Sequence, residues 1–318
     1  MKRLLLAGAL ALGSLATAAT GALAADWTPP GPIKLLIAFK AGGGTDTQAR
    51  LIAEELEKRQ GWTIQPEQLT GKGGAVLAAA MKDMPNDGSV IGMLITDAFT
   101  YSLEASKNPP YAVGDFTTLT TTAGFQIGIV ARTEKGYTSW DDVVAEAKSG
   151  KEIRFGAMSP RLGDMAYLIG KHYGIDFNIV MVKGGKGVMN GLNAGDLDIG
   201  WGAGIQTKAV LAGDMVNLLS GLSKRLTASP DAPTLTEVGI DANADGYFLF
   251  AAPAGLPDDA RVALSDAIAE IVEDQSTKAA QFVEKGYGGV VVIKREDLDA
   301  QIASEVAGAR ALIEAVSE

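Results

Sequence analysis

The feature that most constrains this chain is a short apolar run that ends in three consecutive glycines. Leu35 to Phe39 predict a buried strand, which leads through two further residues into Gly42, Gly43 and Gly44. Glycine has no Cβ, so the backbone of such a loop can adopt positive φ angles and turn its N–H groups toward a bound group. The loop therefore predicts a cradle for an anion.

An amphipathic helix is predicted immediately after these glycines. Apolar residues recur with helical spacing at Ala49, Ile52, Ala53 and Leu56, and charged residues occupy the opposite face. Free amides at a helix N-terminus bind phosphate or carboxylate groups. The candidate binding residues of this segment are Gly42, Gly43, Gly44, Thr45 and Asp46.

Residues 1–25 have the pattern of a cleaved export signal. Lys2 and Arg3 precede an apolar stretch, Leu4 to Leu12, and Ala22-Leu23-Ala24 has the form that signal peptidase cleaves. A membrane anchor is the alternative, but this stretch is too short to span a bilayer comfortably. The chain has no cysteine, hence no disulfide and no lipid-attachment site. We therefore expect a soluble protein of the bacterial periplasm that starts near Asp26.

Length and charge narrow the possible partners. The 318 residues are too many for one small core and predict two domains. The net charge of −10 disfavours binding to nucleic acid or to anionic lipid. The protein must therefore bind an anionic ligand through groups close to the binding site, because the net negative charge of the whole chain repels such a ligand. We expect a monomer.

Apolar segments alternate with helical patterns along the chain, which is typical of a parallel α/β architecture. Ser139 and Asp142 predict a capping box at the start of one helix. Another helix begins after Pro257, with a buried face formed by Leu264, Ala267, Ile268 and Ile271. The strand candidates are Ile33–Phe39, Val90–Ile95, Phe125–Val130, Ile153–Met158, Ile179–Val182, Leu197–Trp201, Val216–Leu219, Tyr247–Ala251 and Val290–Ile293.

Three more loops place glycine or other turn-forming residues before a helix start. They are Gly71-Lys72-Gly73-Gly74, Ser159-Pro160-Arg161-Leu162-Gly163 and Lys183-Gly184-Gly185-Lys186-Gly187. In open α/β sheets such loops collect at the carboxyl ends of the strands, where ligands bind. Four loops of one type in both halves of the chain predict that one ligand is held from two sides.

Five segments follow one another along the chain: FKAGGGTD, GKGGA, MPNDGSVIG, VKGGKGVMNGLNAGDLDIGW and SPDAPTLTEVGIDA. In this order and spacing they resemble the substrate-binding receptors of the tripartite tricarboxylate transporters, the TctC or Bug family. The resemblance covers nearly all of the chain after the leader. It implies a type II periplasmic binding protein, or Venus flytrap, with two α/β lobes, each a mostly parallel sheet flanked by helices. The first lobe is expected at residues 26–124 and 247–318, and the second at residues 125–246.

The resemblance also implies a function. A receptor of this family holds a small carboxylate, such as a di- or tricarboxylate, between its lobes and delivers it to a transporter with a large and a small membrane subunit. Backbone amides of the first glycine loop, Gly42 to Asp46, and of Lys183, Gly184 and Gly185 hold one carboxylate group. Further residues are expected to line the cleft, namely Gly73, Thr96, Asp97 and Ser159.

This chain departs from the family pattern in its loops. Lys40-Ala41 stand where proline usually precedes the glycines, Val182 replaces a common tyrosine, and Met158 to Arg161 replace a loop usually rich in serine, glycine and threonine. A guanidinium clamps a carboxylate with two parallel hydrogen bonds, so Arg161 is predicted to hold the distal end of the ligand. The alternative is an exposed arginine at a helix start, where a cation opposes the helix dipole.

Several other residues have two interpretations. Asp46 binds ligand-ordered water or caps its helix, and Lys183 contacts the ligand through its side chain or only through its backbone. Trp201 stacks on an aromatic ligand or packs at a lobe boundary. His172, the one histidine of the chain, is expected to be exposed.

The sequence gives little support for catalysis. One histidine and no cysteine exclude a Cys-His pair and a multi-His metal site, and the nucleotide-binding glycine motifs fail in their spacing. We expect no catalytic residue, no metal and no cofactor. Two alternatives stay open: a periplasmic sensor that passes its closed form to a signalling partner, and a hydrolase built on a pair of carboxylates.

Overall fold

The computed structural model describes residues 27–317, in which strands and helices alternate. The predicted export signal and the start near Asp26 lie outside the described residues. The strands are β1 (Ile33–Ile37), β2 (Ile64–Gln68), β3 (Val90–Ile95), β4 (Phe116–Gly124), β5 (Ile127–Arg132), β6 (Arg154–Ala157), β7 (Asn178–Met181), β8 (Ile199–Ala203), β9 (Met215–Ser220) and β10 (Tyr247–Pro253).

The helices connect these strands and complete the C-terminal part of the chain. They are α1 (Gly44–Gln60), α2 (Ala75–Met81), α3 (Tyr101–Glu104), α4 (Trp140–Lys148), α5 (Pro160–Tyr173), α6 (Gly184–Ala194), α7 (Thr207–Leu211), α8 (Asp258–Glu273), α9 (Lys278–Tyr287) and α10 (Arg295–Ser317). None of the helices within residues 27–317 is long and apolar enough to cross a bilayer.

The strands form two five-stranded sheets of the same construction. The first sheet has the order β2-β1-β3-β10-β4, and the second has the order β7-β6-β8-β5-β9. In the first sheet β1 is parallel to β2 and β3, whereas β10 is antiparallel to β3 and β4. In the second, β6 is parallel to β7 and β8, whereas β5 is antiparallel to β8 and β9. One strand of each sheet thus runs against the other four, and the expectation of two mostly parallel sheets is confirmed.

The reversed strand of each sheet is the one that arrives from the other sheet. The chain leaves the first sheet after β4 and enters the second with β5, and it returns from β9 to β10. We refer to each sheet with its flanking helices as a lobe, the first containing β1 and the second containing β6. The expected lobe limits, residues 26–124 with 247–318 and residues 125–246, stay a prediction.

Three differences from the predicted strands have physical causes. Strand β2 is polar and contains Pro66, which an edge strand tolerates because one row of its N–H groups is unpaired. Strand β4 is rich in threonine rather than in apolar residues. The strand predicted at Val290–Ile293 is wrong, because the Thr121 hydroxyl donates to the Val291 carbonyl at 2.6 Å and accepts from the Ile293 amide at 2.8 Å. The Thr121 side chain therefore takes the place of some of the backbone hydrogen bonds that a strand paired with β4 would make.

The predicted helix faces are buried. On α1, Ala49, Ile52 and Leu56 are fully buried and Ala53 is nearly so, and on α8 the predicted apolar face is buried as well. The largest apolar cluster contains residues of both lobes, including Ile37 of β1 and Trp201 of β8. The lobes are therefore joined by continuous apolar packing as well as by the two chain crossings.

A buried carboxylate fixes the second lobe at the start of β8. Asp198 is 3% exposed and accepts hydrogen bonds from the Arg154 guanidinium at 2.9 and 3.0 Å, while Lys135 Nζ lies 2.5 Å from it. Burial raises the pKa of Asp198, but the hydrogen bonds from Arg154 and Lys135 outweigh burial and hold this pKa well below its usual range.

We predict that Asp198→Asn destabilises the protein at neutral pH by about 3 kcal/mol, because two cations lose a buried partner. A lowered pKa in the folded state contributes stability that is present above the pKa of the unfolded chain, about 4, and is lost as the pH falls through the folded-state value. Urea unfolding at pH 7 and pH 3 should show the difference from wild type shrinking at pH 3. The control is Asp196→Asn at an exposed neighbouring position, and a pH-independent difference would contradict the prediction.

Candidate functional site

The matching construction of the two sheets brings four helix starts to one cleft. The loops after β1 and β2 lead to α1 and α2, and the loops after β6 and β7 lead to α5 and α6. All four loops lie at the carboxyl ends of strands that run in one direction within their sheet, where ligands of open α/β sheets bind. Between them lies a cavity of about 830 Å³ that is bordered by both lobes.

Most of the predicted site residues border this cavity. Gly42, Asp46 and Thr96 do not border it: Gly42 is exposed, whereas Asp46 and Thr96 are buried. For all of them, contact with a ligand stays a prediction. The predicted residues that line the cavity are Gly43, Gly44, Thr45, Gly73, Asp97, Ser159, Arg161, Lys183, Gly184 and Gly185.

The first glycine loop uses only one of its glycines for a left-handed conformation. Gly42 has φ +73°, whereas Gly43 is extended at φ −81° and ψ 172°. The amide of Gly42 donates to Asp46 Oδ2 at 2.8 Å, and the amide of Gly43 donates to the Lys40 carbonyl at 3.1 Å. No acceptor among residues 27–317 is paired with the amides of Gly44, Thr45 and Asp46. The N–H groups without an acceptor therefore begin at Gly44, in the first turn of α1, two residues after the first glycine of the loop.

Asp46 stabilises the loop from inside. It is 4% exposed, and besides the Gly42 amide it accepts hydrogen bonds from Arg50 Nε at 2.8 Å and from the Gln68 side-chain amide. This arrangement favours the structural interpretation of Asp46, in which it satisfies an amide next to the helix start. Gln68 belongs to β2, so the same carboxylate also ties the loop to the edge of the sheet.

The loop after β7 presents a second helix start from the other lobe. Lys183 precedes α6 and has no side-chain capping bond, Gly184 has φ +71°, and the first turn contains no acidic residue. The amides of Gly184 and Gly185 have no acceptor within the described part of the chain. Two helix N-termini with free amides, one from each lobe, therefore border one cavity.

Arg161 joins the lobes through a buried ion pair. It is 8% exposed, and its Nη1 donates to Asp97 Oδ1 at 2.6 Å and to the Asp245 carbonyl at 3.0 Å, while Nη2 donates to the Asn243 carbonyl at 3.1 Å. The exposed-arginine alternative is therefore wrong. The predicted clamp on a distal carboxylate stays a prediction, but the structure gives the guanidinium an internal anion, Asp97, and two carbonyl groups as partners.

One further contact crosses between the lobes near this pair, and a second one lies beside it within the first lobe. The Tyr101 hydroxyl, on α3, donates to Asp164 on α5, and burial together with this carboxylate raises the pKa of Tyr101. Thr96 is fully buried and its hydroxyl accepts from the Tyr247 amide at 3.1 Å, where the chain re-enters the first sheet. Both hydroxyl groups therefore have a hydrogen-bond partner within the protein.

Tyr287 was not predicted, and its side chain lies against one glycine of each lobe. A Cβ added to Gly44 would lie 1.8 Å from Tyr287 Oη, and one added to Gly204, in the loop after β8, would lie 2.5 Å from Tyr287 Cε1. The side chain is 4% exposed, and burial raises the pKa of Tyr287 to about 12. A glycine from each lobe thus makes room for one aromatic ring at the wall of the cavity.

The cavity combines an apolar wall with positive charge. The cationic residues that border it are Lys40, Lys72, Arg161, Lys183 and Lys186. Among the described residues, the acidic side chain at its wall is Asp97, which is paired with Arg161. A chain with a net charge of −10 therefore has a positive local environment at this site. The apolar lining includes Phe39, Ile95, Phe125, Ile127, Met158, Leu162, Ile205 and Phe248.

Trp201 and His172 lie away from the cavity. Trp201 is fully buried, donates from Nε1 to the Leu162 carbonyl at 2.8 Å and packs against Phe155, which favours the packing interpretation. His172 is exposed, as expected. Within residues 27–317 no group of three or more His, Cys, Asp or Glu side chains is arranged to hold a metal ion.

Two α/β lobes joined by crossing strands, with free helix N-termini facing a shared cavity, define a two-lobed substrate-binding protein. Residues 48–317 match the model of the tripartite tricarboxylate transporter family receptor. The chain belongs to this family, and the resemblance found in its loops is confirmed.

Known proteins similar to this chain fit the same class. The UPF0065 protein in the gbd 5′ region of Cupriavidus necator is 28% identical over 257 residues, covering 78% of this chain and 76% of that protein. The structure of R. palustris Rpa4515 with adipate has a TM-score of 0.80 at 21% identity and covers 92% of this chain and 99% of that one. MatC (Rpa3494) from Rhodopseudomonas palustris with bound malate has a TM-score of 0.77 at 18% identity and covers 90% and 100%. These structures show the shared periplasmic-binding-protein fold.

We predict that Gly44→Ala lowers the melting temperature, because its new Cβ would overlap Tyr287 Oη and overpacking costs about 1–3 kcal/mol. The double variant Gly44→Ala/Tyr287→Phe should recover much of this loss, since Tyr287 Cζ lies 3.2 Å from the added Cβ. Thermal unfolding of both variants and of Tyr287→Phe alone measures the coupling. Additive losses would show that the two residues are not in contact at the cleft.

Proposed function

We propose that this protein binds a small organic carboxylate between its lobes in the periplasm and delivers it to the membrane subunits of a tripartite tricarboxylate transporter. The observation that carries the proposal is the pair of free helix N-termini, α1 and α6, at one cavity with lysines at its border. Helix N-termini favour anions, and planar carboxylates accept hydrogen bonds from several backbone amides at once. The adipate and malate bound to two proteins of the same fold are anions of this class.

The hydrogen-bond donors at the site stabilise a bound anion by more than the net negative charge of the protein destabilises it. Each hydrogen bond to a charged group contributes about 1.5–3 kcal/mol, and a carboxylate reached by amides of both helices gains several. The repulsion from surface carboxylates is screened over about 8 Å at physiological ionic strength. Short contacts at the helix starts therefore determine the binding affinity, while the negative surface mainly affects the approach of the ligand to the site.

The position of the donors couples binding to lobe closure. Gly44 and Thr45 begin α1 in the first lobe, and Gly184 and Gly185 begin α6 in the second. A carboxylate contacts both sets only when the lobes are shut, so its binding energy shifts the population toward the closed arrangement. Delivery to a transporter then depends on the membrane subunits distinguishing the closed form from the open one.

The test is a thermal-shift screen with citrate, malate, succinate, adipate and benzoate. A ligand present at 100 times its dissociation constant adds about 2.7 kcal/mol of stability, which raises the melting temperature measurably. Gly43→Val should abolish the shift, because its Cβ would lie 3.1 Å from the Lys40 carbonyl oxygen and the added bulk would displace the loop that borders the cavity. Gly114→Val is the matched control, since nothing lies within 4 Å of a Cβ at Gly114. No shift with any acid, or an undiminished shift in Gly43→Val, would contradict the proposal.

Arg161 supplies a second prediction for this function. Because Asp97 and two carbonyl groups engage its guanidinium, we expect Arg161→Met to lower the affinity for succinate and butanoate by the same factor, acting through lobe closure. Isothermal titration of both acids measures the two losses. Arg225→Met removes an exposed ion pair in the second lobe and serves as the control. A larger loss for succinate than for butanoate would instead place Arg161 on the distal carboxylate.

A further inference from the structure

Lys186 brings an ammonium group of the second lobe against the backbone of the first. Its Nζ lies 3.4 Å from the position that a Cβ on Gly42 would occupy. Gly42 has no side chain to block this approach. Lys186 belongs to the first turn of α6, its side chain is exposed, and it borders the cavity. The residue was not singled out from the sequence, because its position across the cleft depends on how the lobes meet.

Within the described part of the chain, this ammonium has no carboxylate partner. None of the ion pairs formed among residues 27–317 includes Lys186. The nearest carboxylate of the facing loop, Asp46, is paired with Arg50 and accepts the Gly42 amide. Asp97, at the cavity wall, is paired with Arg161. The other side chains of the two loops that carry charge are Lys40 and Lys183, which are cationic too.

The helices add to the positive charge at this point. A cation in the first turn of a helix opposes the helix dipole, and Lys186 occupies that position in α6. When the lobes are shut it also faces the N-terminus of α1, which carries the same partial charge. Among the described residues, two helix N-termini and an ammonium therefore meet beside a carboxylate, Asp46, that Arg50 already pairs, so closure of the ligand-free protein is electrostatically opposed.

We propose that Lys186 determines specificity for charge: it disfavours closure around an empty or neutral cleft and favours closure around an anion. This inference deepens the proposed function and rests on it for the identity of the anion as a carboxylate. When a carboxylate is bound, the repulsion between the ammonium and the helix N-termini is replaced by their attraction to the anion. Neutral analogues of the same shape would leave the repulsion in place, and the protein rejects them for that reason.

Lobe closure of the ligand-free protein provides the first test. The chain has no cysteine, so spin labels can be placed at Gln65→Cys, an exposed position on β2, and at Asp176→Cys, an exposed position two residues before β7. Double electron–electron resonance then measures the distance between the lobes. We expect Lys186→Met to raise the closed-to-open ratio about tenfold at 20 mM salt, and Lys186→Arg to behave like wild type. Raising the salt to 500 mM should increase closure in wild type but not in Lys186→Met.

The matched control is Lys148→Met, which removes the same charge from an exposed position on α4 of the same lobe. An unchanged closed-to-open ratio in Lys186→Met, or an equal change in Lys148→Met, would overturn the assignment. Wild type that is already closed at low salt would overturn it as well.

Binding of adipate and its neutral analogue adipamide provides the second test. Wild type should favour adipate, and Lys186→Met should reduce this preference about tenfold. An unchanged preference would overturn the role of Lys186 even if adipate binds. If neither adipate nor any acid of the thermal-shift screen closes the wild-type lobes, the proposed carboxylate function fails, whereas the ligand-free comparison still measures the effect of Lys186 on closure.

Discussion

The structure depends on backbone amides that the protein itself leaves without acceptors. The first turns of α1 and α6 each begin at glycine, carry no capping side chain and meet at one cavity from opposite lobes. Exposed donors of this kind attract an anion because the helix dipole and the N–H groups act in the same direction. Asp46 accepts the Gly42 amide and two side-chain donors, and leaves the amides of the first turn of α1 without an acceptor.

The distance between the two helix starts is controlled by a small group of interactions at the back of the cleft. Asp97 and Arg161 form a buried pair between the lobes, Tyr101 and Asp164 form a second contact, and Tyr287 fills the space between Gly44 and Gly204. These contacts favour approach of the lobes, whereas the uncompensated charge of Lys186 opposes it. Binding proteins need this balance, since a cleft that closes without ligand sequesters its own binding groups.

Features that depend on neighbouring residues in the sequence could be predicted, whereas contacts between distant parts of the chain could not. Glycine runs between a strand and a helix are local signals, so the loops around Gly43 and Gly184 are predictable, as is the buried face of α1. Arg161 is different: its partner Asp97 lies 64 positions away and its carbonyl partners more than 80 positions away, so no spacing rule reveals them. The same holds for Tyr287, whose role depends on glycines from both lobes. Strands β2 and β4 escaped prediction because proline and threonine replace the apolar residues that usually mark a strand.

The crossing strands have a consequence for how the polypeptide can assemble. Strand β10 lies between β3 and β4 in the first sheet, yet it is made only after the whole of the second sheet. Until Tyr247–Pro253 has been synthesised, β3 and β4 have no neighbour to join them, and the N-terminal half exists as two unconnected fragments of a sheet. The second sheet, by contrast, is drawn from one continuous stretch of chain. The second sheet can therefore form from its own stretch of chain, whereas the first sheet is complete only when β10 joins β3 to β4.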